Sequence, residues 1–223
     1  MPGRSSPARA CPDPGLRALY RRRLATLTPA AFLDRDGVVV EEVNYLHRVE
    51  DVRILPGVIE TIRGWNEAGT PVVLVTNQAG VGRGYYGWPD FLAVQGHIEG
   101  LLQRHGAWLD GTWACGYHPD GLPPLNEVHA HRKPGPGMLR EAAQVLNLDL
   151  ERSWLIGDQI SDLQAAIAAG LHTAVLVRTG YGAKVESQLA ELACGRTRVY
   201  AAASLAEATQ HLPLLARYNE SSS

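Results

Sequence analysis

Four short, nearly unbroken apolar runs constrain this chain more than any other feature. They are residues 30–33, 71–76 (PVVLVT), 154–157 (WLIG) and 173–177 (TAVLV), each four to six residues long. Between them lie segments with helical spacing. Residues 56–68 place Val58, Ile62 and Trp65 on one face, with Pro56 at the start and Gly69 after the end. Residues 89–104 place Phe91, Val94, Ile98 and Leu101 on one stripe. Further helices are expected over 136–146 and 162–169, further strands over 111–115 and 197–201, and a last helix behind a Ser204/Glu207 capping box. Strands that are apolar throughout must be covered on both faces. The expected fold is therefore α/β, a Rossmannoid, doubly wound parallel sheet with helices on both sides.

In such sheets ligands bind beyond the C-terminal strand ends. That rule selects Asp34, Thr76 and Asp158, which come from three strands far apart in sequence. Asp34 and Asp36 flank Arg35. In extended chain, residues two apart face the same way, so two carboxylates address one small ligand while Arg35 points away. Gly37 lets the backbone turn just past them. Read alone, the pair also suits a solvated acidic loop. Thr76, Asn77 and Gln78 begin a strand-to-helix turn that suits either phosphate oxygens or a helix cap. Lys133, beside Arg132, is a point charge before a helix, read as a phosphoryl ligand or an exposed basic loop. Asp158 with Asp34 makes a hard oxygen site for Mg²⁺. Asp162 either caps the next helix or supports the metal shell. Arg83, Tyr85, Tyr86 and Trp88 either line an entrance or pack at the start of a helix.

Composition is ordinary: 45% apolar, 20% charged, net charge −2. Nothing there favours nucleic acid or membrane, and no run of 18 apolar residues exists. Residues 1–29 are expected to be a basic N-terminal extension carrying one short helix from Leu16 to Leu27. The main domain is expected over 30–215 and a disordered tail over 216–223. Three scattered cysteines, Cys11, Cys115 and Cys194, give no disulfide framework and suit a reducing cytoplasm. The chain is expected to be a monomer.

Four segments, in order, carry a resemblance: 33–37 (LDRDG), 75–80 (VTNQAG), 132–138 (RKPGPGM) and 156–166 (IGDQISDLQAA). Together they resemble the haloacid dehalogenase superfamily of phosphatases. Within it they are similar to the heptose 1,7-bisphosphate phosphatases and their histidinol-phosphate phosphatase relatives. The resemblance runs from about residue 31 to residue 179. It implies a sheet without a large cap domain and Mg²⁺-dependent hydrolysis of a small phosphorylated metabolite. A heptose bisphosphate leads, and histidinol phosphate or another small metabolite is the alternative. A binding protein on the same scaffold would be expected to have lost acidic or basic site residues, and none is lost.

By this resemblance Asp34 attacks phosphorus and Asp36 serves as acid and base. Thr76 and Lys133 hold the phosphoryl oxygens. Mg²⁺ lies between Asp34, the backbone carbonyl of Asp36, and Asp158. Glu42, Tyr45, Asn77, Gln78 and Arg132 touch substrate. Two departures stand out. Gln159 occupies a position where the heptose phosphatases usually carry Lys. A structural zinc loop of the relatives is altered as well: Tyr117 replaces a His and two His replace two Cys. Cys115, His118, His129 and His131 remain as a candidate Zn²⁺ set.

Overall fold

The computed structural model describes residues 13–21 and 23–212. The first twelve residues with Cys11, residue 22, and the expected tail lie outside the described residues. Seven strands form one sheet: β1 (Leu16–Tyr20), β2 (Ala31–Leu33), β3 (Val72–Asn77), β4 (Gly111–Cys115), β5 (Trp154–Gly157), β6 (Thr173–Val177) and β7 (Arg198–Ala202). The order is β1-β4-β3-β2-β5-β6-β7. Every pairing is parallel except β1 with β4. Helices α1 (Val58–Glu67), α2 (Ala79–Gly82), α3 (Trp88–Arg104), α4 (Gly137–Leu146), α5 (Ile160–Ala169), α6 (Gly182–Val185) and α7 (Leu205–Ala208) fill the connections.

Alternation along the buried strands builds two cores. Ala31, Leu33, Val72, Leu74, Trp154 and Ile156 face one side, where Val58 and Ile62 of α1 and Val94, Ile98 and Leu102 of α3 meet them. Phe32, Val73, Val75 and Leu155 face the other side, against Met138, Leu139 and Ala142 of α4 and Leu163 and Ala166 of α5. The expected doubly covered sheet is present, with element ends displaced by a residue or two.

One expectation fails. Residues 16–20 are not the start of a basic helix but the edge strand of the sheet, paired from Leu16 opposite Cys115 to Tyr20 opposite Gly111. Leu16, Ala18 and Tyr20 all pack on the same core, which is period two rather than 3.6. Tyr20 stacks on Trp113 with ring centroids 5.8 Å apart. Arg17 lies in this edge strand and Arg21 just past its end, half-buried over Trp88 and Trp108.

Strand β2 lies between β3 and β5, and the sheet grows outward from it in both directions. This is the topological switch point. Leu33 pairs with Leu74 on one side and Ile156 on the other. Asp34 thus leaves the sheet level with Val75 and Gly157, one residue short of Thr76 and Asp158.

Trp154 opens β5 opposite Ala31, fully buried, its ring edge-on to Trp65 at 6.2 Å. Trp154→Ala is expected to cost about 3–5 kcal/mol, visible as a lowered urea midpoint with an unchanged slope.

Candidate active site

At the C-terminal strand ends a cleft of about 430 Å³ is lined by Asp34, Asp36, Glu42, Tyr45, Thr76, Asn77, Gln78, Arg132, Lys133 and Asp158, among others. All the residues expected to do catalysis, bind substrate or hold Mg²⁺ therefore meet in one place. His118 also reaches the cleft. Cys115, His129 and His131 are not among its walls.

Its centre is a buried cluster of charge. The Lys133 ammonium lies 2.9 Å from Asp34 Oδ1 and 2.6 Å from Asp162 Oδ1, and it donates to the Val75 carbonyl at 2.9 Å. Asn77 fixes the Lys133 backbone from both sides. Its Nδ2 donates to the Lys133 carbonyl at 3.0 Å, and its Oδ1 accepts from the Lys133 N–H at 3.0 Å. Of the two roles considered for Asp162, the structure shows the helix cap, and it adds an ion pair with Lys133. Its Oδ2 accepts from the Gln159 N–H at 2.9 Å, capping α5, while Oδ1 pairs with Lys133.

Asp158 Oδ2 accepts from the Tyr181 N–H at 2.8 Å. Gly37 and Gly180, both at positive φ, press against the Asp158 carboxylate so closely that neither could carry a Cβ. The segment after β6 was not singled out from sequence. The strand-end rule that selected the other three would also have found it, since 178–182 (RTGYG) directly follows β6.

Oxygens of Asp34, Asp158 and Asp162 come within 4.8 Å of one another, and among the described residues no other such acidic, histidine or cysteine group forms. Three carboxylates face one ammonium. Burial raises the Asp34 pKa, and repulsion from Asp162 and Asp36 adds to it against the pull of Lys133. Burial likewise raises Asp158, reinforced by Asp34. Burial alone would lower the Lys133 pKa, but Asp162 and Asp34 together push it upward. A hard divalent cation fits this site, because it supplies the positive charge the carboxylates lack.

The Asp36 environment departs from the sequence expectation. Arg35 does not point away. The chain leaves its strand at Asp34 and turns, with the Arg35 carbonyl accepting from the Val39 and Val40 N–H groups. The fully buried guanidinium folds back, donating from Nε and Nη2 to the two Asp36 oxygens at 3.1 Å each, and lies 5.3 Å over the Phe91 ring. Gln78 ties the group together. Its Nε2 donates to Thr76 Oγ1 at 2.8 Å and Asp36 Oδ2 at 3.2 Å, and its Oε1 accepts from Tyr86 and Arg35. Gln78 is thus a buried connector whose amide is already engaged. Tyr86 packs inward, whereas Tyr85 is exposed and edge-on to Tyr45. Arg83 donates to the Tyr45 hydroxyl at 2.9 Å.

The expected zinc set is corrected. The His129 and His131 rings lie 5.2 Å apart, but among the described residues the four do not form a metal-holding group. His118 Nδ1 accepts from the Asp120 N–H at 3.0 Å, and Nε2 faces Arg83 at 3.2 Å. His131 Nε2 pairs with Glu141 at 2.9 Å. His129 stacks on Tyr117, centroids 4.2 Å apart. Cys115 is buried at the end of β4, and burial pushes its thiol up to about 11. The loop is closed by ring stacking and hydrogen bonds.

Known proteins bear on this geometry. Residues 130–208 match the HAD-hydrolase-like family model. The D-glycero-β-D-manno-heptose-1,7-bisphosphate 7-phosphatase of Yersinia pestis is 42% identical over 163 residues, covering 73% of this chain and 87% of the relative. The chain belongs to the haloacid dehalogenase-like phosphatase family. The Mesorhizobium japonicum protein of the same description is 45% identical over 150 residues, 67% of this chain and 69% of the relative. Two solved structures are similar. A HAD-like phosphatase from Mesorhizobium loti has TM-score 0.73 at 41% identity, covering 76% of this chain and 83% of its own. A D,D-heptose 1,7-bisphosphate phosphatase from B. bronchiseptica, complexed with magnesium and phosphate, has TM-score 0.71 at 33% identity, covering 82% and 97%.

Raised carboxylate pKa values carry a stability cost of definite sign. The folded chain holds protons on Asp34 and Asp158 that the unfolded chain releases near pH 4, so stability falls as pH rises through the shifted range. Lys133 adds no slope there, since its contribution is complete below about pH 10. The metal-free protein is expected to lose melting temperature between about pH 5 and about pH 8. Saturating Mg²⁺ should flatten that trend, and Asp158→Asn should weaken it; calorimetry across this range checks both.

Proposed function

We propose that this protein is a Mg²⁺-dependent phosphomonoesterase acting on a small sugar phosphate, with D-glycero-D-manno-heptose 1,7-bisphosphate as the leading substrate. The observation that carries the proposal is the Asp34–Lys133–Asp162 cluster with Asp158 beside it, at the switch point of the sheet. Support for the substrate comes from the relatives, which are named for that bisphosphate at 42% and 45% identity, and from a structural neighbour that holds magnesium and phosphate.

Asp34 is the nucleophile in this reading. Its carboxylate is held by the Lys133 ammonium and by its hydrogen bond from the Arg35 N–H at 2.7 Å. It attacks phosphorus, the P–O bond to the sugar breaks, and an aspartyl-phosphate forms. Asp36 gives its proton to the leaving sugar oxygen. It then takes a proton from the water that attacks the phosphoenzyme and restores Asp34. The Arg35 fork and Gln78 hold Asp36 in position while its carboxylate stays partly exposed to the cleft. Thr76 and Lys133 hold the phosphoryl oxygens. Asp34, Asp158 and the Asp36 carbonyl would hold Mg²⁺, which supplies neutralising charge to the transferring group. Glu42, Tyr45, Asn77 and Arg132 border the space left for the sugar, and Gln159 lies at its edge.

The site is complete within one chain, which supports action as a monomer. The free thiols of Cys115 and Cys194 support a place in the cytoplasm.

Asp34→Asn is expected to abolish Mg²⁺-dependent phosphate release, by at least about 10³-fold, with the far-ultraviolet spectrum unchanged. Retained turnover would remove Asp34 from the nucleophile role. In a panel of phosphorylated metabolites, heptose 1,7-bisphosphate should give the highest kcat/KM. A higher value for histidinol phosphate would transfer the assignment to that branch.

A further inference from the structure

Asp13 lies outside the cleft yet connects to it. Asp13 Oδ1 accepts from the Tyr117 hydroxyl at 2.9 Å and from the Gly15 N–H at 2.8 Å. The Tyr117 carbonyl in turn accepts from Arg132 Nη1 at 3.1 Å, and Arg132 lines the cleft. The His129 ring covers the other side of the tyrosine, at an interplanar angle of 13°, with Nε2 4.0 Å from Asp13 Oδ2. A chain of contacts thus runs from the N-terminal segment through one tyrosine to a guanidinium at the cleft.

The segment that carries Asp13 is itself anchored. The Gly116 N–H donates to the Gly15 carbonyl at 2.8 Å, and Trp88 Nε1 donates to the Pro14 carbonyl at 2.7 Å. The Arg17 guanidinium lies 4.5 Å over the Trp88 ring. β1 follows directly, paired with β4. Gly15 meets the Tyr117 ring so closely that any side chain there would displace the tyrosine. An arginine side chain free to sample its rotamers must be ordered when an anion binds, and a carbonyl acceptor already holding it removes part of that cost.

We infer that Asp13 and Tyr117 are positioning residues for Arg132, so that the N-terminal segment sets substrate affinity without touching the reacting atoms. This rests on the proposed reading of Arg132 as a substrate contact. Neither residue lines the cleft that holds Asp34, so the chemical step should not sense them.

The test is steady-state kinetics on heptose 1,7-bisphosphate with the full chain, for Tyr117→Phe, Asp13→Ala, their double variant, Asp13→Asn and Arg132→Ala. Tyr117→Phe and Asp13→Ala should each raise KM about three- to tenfold, the factor one hydrogen bond carries, and leave kcat within about twofold. The double variant should be no worse than the worse single one, because both remove the same bond. Asp13→Asn should keep KM near the wild-type value, since its amide oxygen accepts from the same hydroxyl. Unchanged KM in Tyr117→Phe and Asp13→Ala, while Arg132→Ala raises it, overturns the inference. So does a fall of kcat and melting temperature with KM unchanged, which a merely structural role would produce. If the wild type ignores the bisphosphate or Arg132→Ala has no effect, the substrate reading fails instead. Hydrogen exchange then decides the tether: faster exchange at residues 129–132 in Asp13→Ala supports it, and unchanged exchange overturns it.

Discussion

A lysine ammonium only 4% exposed, held between two carboxylates, is the interaction on which the rest of this structure depends. An isolated buried charge is costly, and a buried pair survives only when its geometry is good and its remaining donors are satisfied. Lys133 meets that condition with Asp34, Asp162 and the Val75 carbonyl, and Asn77 locks its backbone. With Asp158 beside them, however, acid exceeds base. The excess lifts the Asp34 and Asp158 pKa values and makes the pocket receptive to a divalent cation. Stability and reactivity are thus set by the same imbalance of charge.

The sheet makes that imbalance sustainable. β2 is flanked by parallel neighbours and covered on both faces, so Asp34 leaves a scaffold with almost no freedom. Asp158 is pressed from β5 toward Asp34 by Gly37 and Gly180. Rigid strand ends are the right place for groups that must be held within fractions of an ångström. The second carboxylate, Asp36, lies beyond the rigid strand and is controlled differently, by Arg35 and Gln78. That network reaches Thr76 and Tyr86, which links Asp36 to the end of β3.

The loop after β4 is held by ring stacking and hydrogen bonds. The sequence there retains one cysteine and three histidines, enough to suggest a metal. In space His129 and His131 stay neighbours, while His118 turns to Asp120 and Arg83 and His131 pairs with Glu141. Tyr117 brings a large flat face and a hydroxyl. The face stacks on His129 and the hydroxyl finds Asp13.

From the sequence alone the doubly wound sheet, Asp34, Thr76, Lys133, Asp158 and their convergence were legible. Buried strands write themselves as apolar runs, and the strand-end rule then places whatever follows. Asp162's two roles, Arg35's inward turn and Gln78's connecting amide were not, because a side chain's partners depend on which distant backbone passes beside it. The edge strand at 16–20 was hidden for a related reason: five residues suit either period until a neighbouring strand offers hydrogen bonds. Composition and order thus determined which groups stand at the site. Only the tertiary structure decided which carboxylates pair with Lys133, that Arg35 turns onto its neighbour Asp36, and that Asp13 meets Tyr117, since neither a contact between distant segments nor the rotamer of a buried side chain leaves a local pattern.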